Sequence, residues 1–239
     1  MDEVSPSDSI ERGVNALRIA SWNVHMGLHN DGGRNDIVTE CKKLDADILV
    51  LQEAWWYGED DSDLAESVAA AVGGELYRYT SPTTMRRYPA QWTVAIISTL
   101  PAARIDDTEI PSMYGRERKM PRIRLTGSGV VIAGAHLDGI HAARTRPDLW
   151  LRQRREFRRH AAENDIITGD LNMWSPVVNR DARPLRNAIN GATWPAHRPH
   201  SQIDHILVSD RLDVRESQVH PNMGSDHRAV SALLSIRPT

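Results

Sequence analysis

Short apolar runs, each closed by a polar or acidic residue, recur along the chain and set its organisation. Leu17–Val24 alternates between apolar and polar positions and predicts a strand. Ala46–Gln52 is almost wholly apolar, the pattern of a strand buried on both faces. Gly129–His136 and Asp165–Gly169 read the same way. Further strands are predicted at 76–80, 92–98, 103–110, 119–125, 203–209, 213–219 and 229–236. A helix is predicted from a cap at Asn35-Asp36 through Leu44, with Ile37, Val38 and Cys41 on one face. A second spans Asp63–Val72 and stops at Gly73-Gly74. A third, Asp148–Ala162, has Pro147 at its start and turns Arg152, Arg155 and Arg159 outward; a fourth is predicted over 182–189.

The order is βαβα, then strands in series, then βα, then closing strands. A doubly wound sheet would alternate throughout. The pattern instead predicts an α/β (α+β) fold of two mixed sheets packed face to face, with helices outside. No repeat or low-complexity linker divides the chain. Residues 15–239 are expected to form a single domain behind a flexible N-terminal arm over residues 1–14.

Composition narrows the class. A chain of 239 residues can bury a sizeable core without disulfide or metal staples. The single cysteine, Cys41, permits no intrachain disulfide and fits a cytoplasmic location. The acidic, polar start Met1–Asp8 lacks the basic and apolar regions of a signal peptide. No apolar run reaches the roughly 18–20 residues of a membrane span. Net charge is −3, which gives no global attraction to nucleic acid. Only Lys42, Lys43 and Lys119 of the 29 basic residues are lysines. The arginine fork suits phosphate, although GC-rich codon usage yields the same bias.

Candidate chemistry lies where predicted strands meet loops, the usual place for it in open α/β architectures. Asn23 ends the first strand. Glu53 follows a buried run, where a carboxylate needs a cation or a donor. His136 ends another strand. After Gly169, placed for a sharp turn, Asp170 and Asn172 stand two apart and would share one face of an extended segment. Asp204 and His227 form a candidate dyad in which the acid fixes and charges the imidazole. His205 points to the other face of its strand and reads as structural.

Taken in order, Trp22-Asn23, Leu51-Gln52-Glu53, His136-Leu137, Gly169-Asp170-Leu171-Asn172, Ile203-Asp204-His205 and Ser225-Asp226-His227 resemble the endonuclease/exonuclease/phosphatase superfamily. Deoxyribonuclease I, the exonuclease III-type apurinic endonucleases, sphingomyelinases and inositol polyphosphate 5-phosphatases belong to it. The resemblance spans residues 16–236. It implies a four-layered α/β/β/α sandwich and Mg²⁺- or Mn²⁺-dependent hydrolysis of a phosphoester by in-line water attack. It gives Glu53, Asn23 and Asp226 to the metal, and His136, Asp170, Asn172, Asp204 and His227 to catalysis. Tyr114, Arg116 and Trp174 become candidates for substrate contact, with Trp55-Trp56-Tyr57 and Trp194 as further rim aromatics.

Departures from the family's subgroups matter too. His200–His205 lacks the Pro-x-Trp-Cys-Asp-Arg signature of the 5-phosphatases. His25 stands where apurinic endonucleases often carry Asp. Thr80-Ser81-Pro82 supplies no acid to pair with His136, which favours a phosphate contact for that histidine. The implied partner is a phosphoester: a nucleic-acid phosphodiester first, a small phosphorylated molecule handled by a phosphatase or a specialised metabolic enzyme as the alternative. A non-catalytic binding module would require a broken metal or water-positioning residue, and none is broken.

Overall fold

The computed structural model describes residues 16–55, 63–85, 88–112, 118–139 and 141–237. Residues 1–14, Trp56, Tyr57, Tyr114 and Arg116 lie outside these. Among the described residues, twelve strands form two six-stranded mixed sheets. The first has the order β11 (Leu212–Val219), β12 (Val230–Ile236), β1 (Ala16–Asn23), β2 (Ile48–Gln52), β4 (Tyr88–Ser98), β3 (Glu75–Met85). The second runs β5 (Ala102–Ile110), β6 (Arg118–Leu125), β7 (Val131–His136), β8 (Ile166–Asp170), β10 (Asp204–Val208), β9 (Arg186–Asn187).

Three apolar layers follow from the in/out alternation of these strands. Ile19, Ile48, Val50 and Ile96 of one sheet meet Ile123, Ile132, Ile166 and Ile206 of the other. The outer face of the first sheet, with Trp22, Leu49 and Leu51, is covered by α1 (Ile37–Lys43) and α2 (Leu64–Val72). Their Ile37, Cys41, Leu64 and Val68 fill that layer. The outer face of the second sheet is covered by α4 (Pro147–Ala161) and α5 (Ser175–Asp181), through Phe157, Ala161 and Val178. The result is the expected four-layered α/β/β/α sandwich. Among the described residues no helix is long and apolar enough to cross a membrane.

Local chemistry sets the helix ends. Asp36 and Asp63 are side-chain caps, accepting from the backbone N–H of Thr39 and Glu66, each worth about 1 kcal/mol. Gly73, at φ 71°, stops α2. A short helix, α3 (His141–Thr145), precedes α4 and was not expected. The helix expected over 182–189 is a correction. Pro184 would lack a donor and clash inside such a helix, and Arg186–Asn187 instead forms β9. The helix begins earlier, at Ser175, where Pro176 suits the first turn.

Each sheet has one parallel pair at its centre, β1–β2 and β7–β8. This brings the C-terminal ends of four strands to one edge of the sandwich. The register places Asn23 beside Gln52, His136 beside Asp170, and Asp204 opposite Asp170. Gly134 lets the sheets approach there: a Cβ on it would stand 2.9 Å from Val50 Cγ1.

Candidate active site

The strand ends supply the side chains, and three turns aim them. After β1 the chain turns through His25 and Met26 in the left-handed region, at φ 46° and 57°. After β2, Glu53 itself is left-handed, at φ 54°. After β8, Asn172 is at φ 50°. Non-glycine residues held so are strained by roughly 1–2 kcal/mol, a feature that clusters at functional sites. Asn172 therefore meets Asp170 through a left-handed turn, and not along the extended segment predicted. Its backbone N–H donates to Asp170 Oδ1 at 2.9 Å and its amide to Oδ2 at 3.1 Å. The same amide donates to the Leu137 carbonyl. Gly169 is also used differently from the expected sharp turn. It lies inside β8 at φ 148°, and a Cβ there would stand 1.9 Å from the Ala135 carbonyl oxygen.

Asp170 is the hub. It is 1% exposed. Its Oδ2 accepts from Asn23 Nδ2 at 3.2 Å and faces His136 Nε2 at 3.5 Å and His227 Nε2 at 3.8 Å. Asn23 Nδ2 also reaches Glu53 Oε1 at 3.3 Å, so one amide bridges two carboxylates. His136 Nε2 stands 4.0 Å from Glu53 Oε1. The predicted dyad forms: His227 Nδ1 is 3.0 Å from Asp204 Oδ2 and 3.2 Å from Oδ1. Asn23, Glu53, His136, Asp170, Asn172, Asp204 and His227 thus converge in one network. Asp226 sits at its rim, with Oδ1 3.8 Å from His25 Nδ1. Trp174 is over half exposed and directly precedes α5.

The electrostatics split the two histidines. Burial alone would lower His227, but the carboxylates of Asp204 and Asp170 override it and raise it to about 10. His136 is held well below 6.5, first by burial and then by the charges of Arg118 and His227. One imidazole is therefore cationic and the other neutral at pH 7, a division that assigns donor and acceptor roles. Burial raises Asp170 to about 7 against the pull of His227, and burial likewise raises Glu53.

Oxygen donors suited to a hard divalent cation crowd this cleft. Glu53, Asp170 and Asp226 offer carboxylates, and Asn23 offers Oδ1, which also accepts from the His25 N–H at 3.1 Å. Asp170, Asp204 and His227 bring ligand atoms within 4.8 Å of one another. In that trio His227 Nδ1 is already engaged by Asp204, which makes it an acid–base unit before it is a metal cage.

Supporting residues escaped the sequence reading. The Ser225 hydroxyl donates to the Asn23 carbonyl at 2.6 Å and accepts from the His227 N–H, tying the last loop to the first strand. Thr193 Oγ1 accepts from the backbone N–H of Ile203 and Asp204. The buried Arg118 donates to the His136 carbonyl at 2.8 Å and pairs with Asp138. Ser225, directly before Asp226-His227, was the only one with a local signal. His205 is structural as expected. Its Nε2 donates to the Met173 carbonyl at 2.9 Å, Nδ1 accepts from Asn187, and burial lowers it to about 4.

The sequence profile of the Endonuclease/Exonuclease/phosphatase family matches residues 20–227. No curated protein matches the chain at a significant level. Among solved structures, the human Nocturnin catalytic domain with bound sulfate aligns with TM-score 0.66 at 18% identity, covering 93% of this chain and 95% of that one. An endonuclease/exonuclease/phosphatase protein from Beutenbergia cavernae gives 0.67 at 17% identity, over 93% and 72%. Truncated TDP2 from Caenorhabditis elegans gives 0.60 at 18%, over 92% and 97%. At these identities the likeness is one of fold.

Proposed function

The chain belongs to the Endonuclease/Exonuclease/phosphatase family of phosphoester hydrolases, and from that premise we propose that it hydrolyses a phosphodiester with the help of Mg²⁺ or Mn²⁺. The observation that carries this reading is the buried Asp170 carboxylate, fixed by two amides between a cationic and a neutral histidine. Phosphoryl transfer needs positioning and charge neutralisation more than covalent help. Asp170, raised toward neutrality, orients the attacking water and takes its proton as the P–O bond to the leaving group breaks. His227 Nε2–H donates to a phosphoryl oxygen, where charge accumulates. Asn23 and Asn172 commit their amide hydrogens to Glu53, Asp170 and the Leu137 carbonyl, so they position the carboxylates, and neutral His136 adds a phosphate contact. Glu53, Asn23 and Asp226 are the donors that would hold the cation, which as a Lewis acid draws charge from the phosphate when bound.

An activity panel tests the reading. Bis-p-nitrophenyl phosphate, p-nitrophenyl phosphate, plasmid DNA, single-stranded DNA and RNA are each offered with Mg²⁺, with Mn²⁺ and with EDTA. Metal-dependent diester cleavage is expected. Hydrolysis of the monoester alone would replace the diesterase with a phosphatase, and activity that survives EDTA would remove the metal.

A further inference from the structure

The chain is slightly acidic overall, yet its arginines are not spread evenly. Between Arg144 and Arg159 there are seven arginines and two acids, Asp148 and Glu156. In the fold they do not ring the catalytic centre; they collect on the outer face of α4 and the end of α5. Asp181, fully buried, is clasped by two of them, Arg154 Nε at 2.6 Å and Arg158 at 2.8 Å, and by Arg180 of α5 at 3.3 Å. One carboxylate cannot neutralise three guanidinium groups. Arg158 and Arg180 remain 56% and 64% exposed, and Arg152 and Arg155 are exposed beside them. Asp148 is engaged by Arg146, and Glu156 faces Arg159 and His160. The five arginines 152, 154, 155, 158 and 180 line a depression of about 720 Å³ together with Asp148 and Leu151, the latter 57% exposed.

The topology connects this flank to the site. β7 and β8 run parallel toward the catalytic edge, so α4 between them runs away from it. α5 starts just after Trp174, itself four residues after Asp170, and ends among the arginines. A helix of this length spans about 10 Å. Arg152, Arg155 and Arg158 step along α4 by about 4.5 Å each. A basic track one helix wide, headed by an exposed indole, is the arrangement that binds unpaired bases and their backbone.

We propose that the α4–α5 flank, with Trp174 at its head, binds single-stranded nucleic acid and leads it toward the Asp170–His227 edge. The second half rests on the phosphoesterase reading; the binding does not. The test is fluorescence anisotropy with a labelled oligothymidylate, a blunt duplex of equal length and phosphatidylglycerol vesicles, over a salt series. The wild-type protein should prefer the single strand. Combined Arg152→Ala, Arg155→Ala and Arg180→Ala should weaken binding about tenfold or more and make the salt slope shallower by about 2. Trp174→Ala should weaken binding with the slope unchanged. Unchanged affinity in the triple variant, tighter duplex binding, or binding to vesicles alone would each overturn the proposal. Hydrolysis of bis-p-nitrophenyl phosphate, too small to reach the arginines, is read in parallel. Its absence in the wild type sinks the phosphodiesterase reading and leaves the anisotropy result standing.

Discussion

His227 Nδ1 lies 3.0 Å from Asp204 Oδ2, and both side chains are buried at the edge where the two sheets meet. The pair is held from behind. Thr193 accepts from the Asp204 backbone N–H, Ser225 from the His227 N–H, and the Trp22 indole donates to the His227 carbonyl at 3.0 Å. The imidazole thus has one ring nitrogen committed and the other turned to Asp170.

Asp204→Asn removes the charge that helps keep His227 cationic. In steady-state kinetics on bis-p-nitrophenyl phosphate, kcat should fall on the order of 10²–10⁴-fold with little change in KM. A kcat within about threefold of wild type would remove the dyad from the reaction.

Asn23→Ala tests the bridge between Glu53 and Asp170. The amide is the donor that reaches both carboxylates, at 3.3 and 3.2 Å. Without it the two acids are poorly placed, and half-activation should require about tenfold more Mg²⁺ or Mn²⁺. An unshifted metal-activation curve would show that Asn23 does not organise the metal site.

Gly169→Ala is expected to be severe for a steric reason. The new Cβ would stand 1.9 Å from the Ala135 carbonyl oxygen, at a φ of 148° that L side chains avoid. Loss of about 3 kcal/mol or more, or failure to accumulate soluble protein, is expected. Gly127→Ala, with nothing within 4 Å, should melt like the wild type. Equal melting temperatures for the two variants would contradict the close approach of β7 and β8.

The buried His205 predicts an acid limb. Its value in the fold is about 4, against an ordinary 6.5. Between those values the unfolded chain binds the proton and the folded one does not, so unfolding is favoured as pH falls. The stability is fully present above about pH 6.5 and is lost progressively toward pH 4, up to about 3 kcal/mol. Thermal melts of wild type and His205→Gln from pH 7 to 4.5 should show a shallower decline in the variant. Parallel declines would mean that His205 is not the group responsible.

Much of this centre was readable in the chain because buried strands end abruptly in polar residues. An apolar run such as Ile48–Leu51 fixes its own burial, so Glu53 just beyond it must lie at a sheet edge. The same holds for Asn23, His136 and Asp170. Contacts made by chain-distant residues were not readable. Arg118 looks like a surface residue in sequence, and only the packing of β6 beside β7 buries it against the His136 carbonyl. The Asp181 clasp joins α5 to α4 and has no local pattern. The helix expected over 182–189 does not form, because Pro184 interrupts it and Arg186–Asn187 pairs with β10. Asn172 was placed with Asp170 correctly, but by the wrong geometry, since a left-handed Asn has no periodic signature.

The central claim is that Asp170 and His227 act together on a phosphodiester. It is tested most directly by initial rates of bis-p-nitrophenyl phosphate hydrolysis with Mg²⁺ or Mn²⁺, for wild type, His227→Ala and Asp170→Ala side by side. Each variant is first checked by circular dichroism for a native fold. The account predicts metal-dependent turnover by the wild type and a loss on the order of 10³-fold or more in each folded variant. Turnover near the wild-type rate in either folded variant would contradict it.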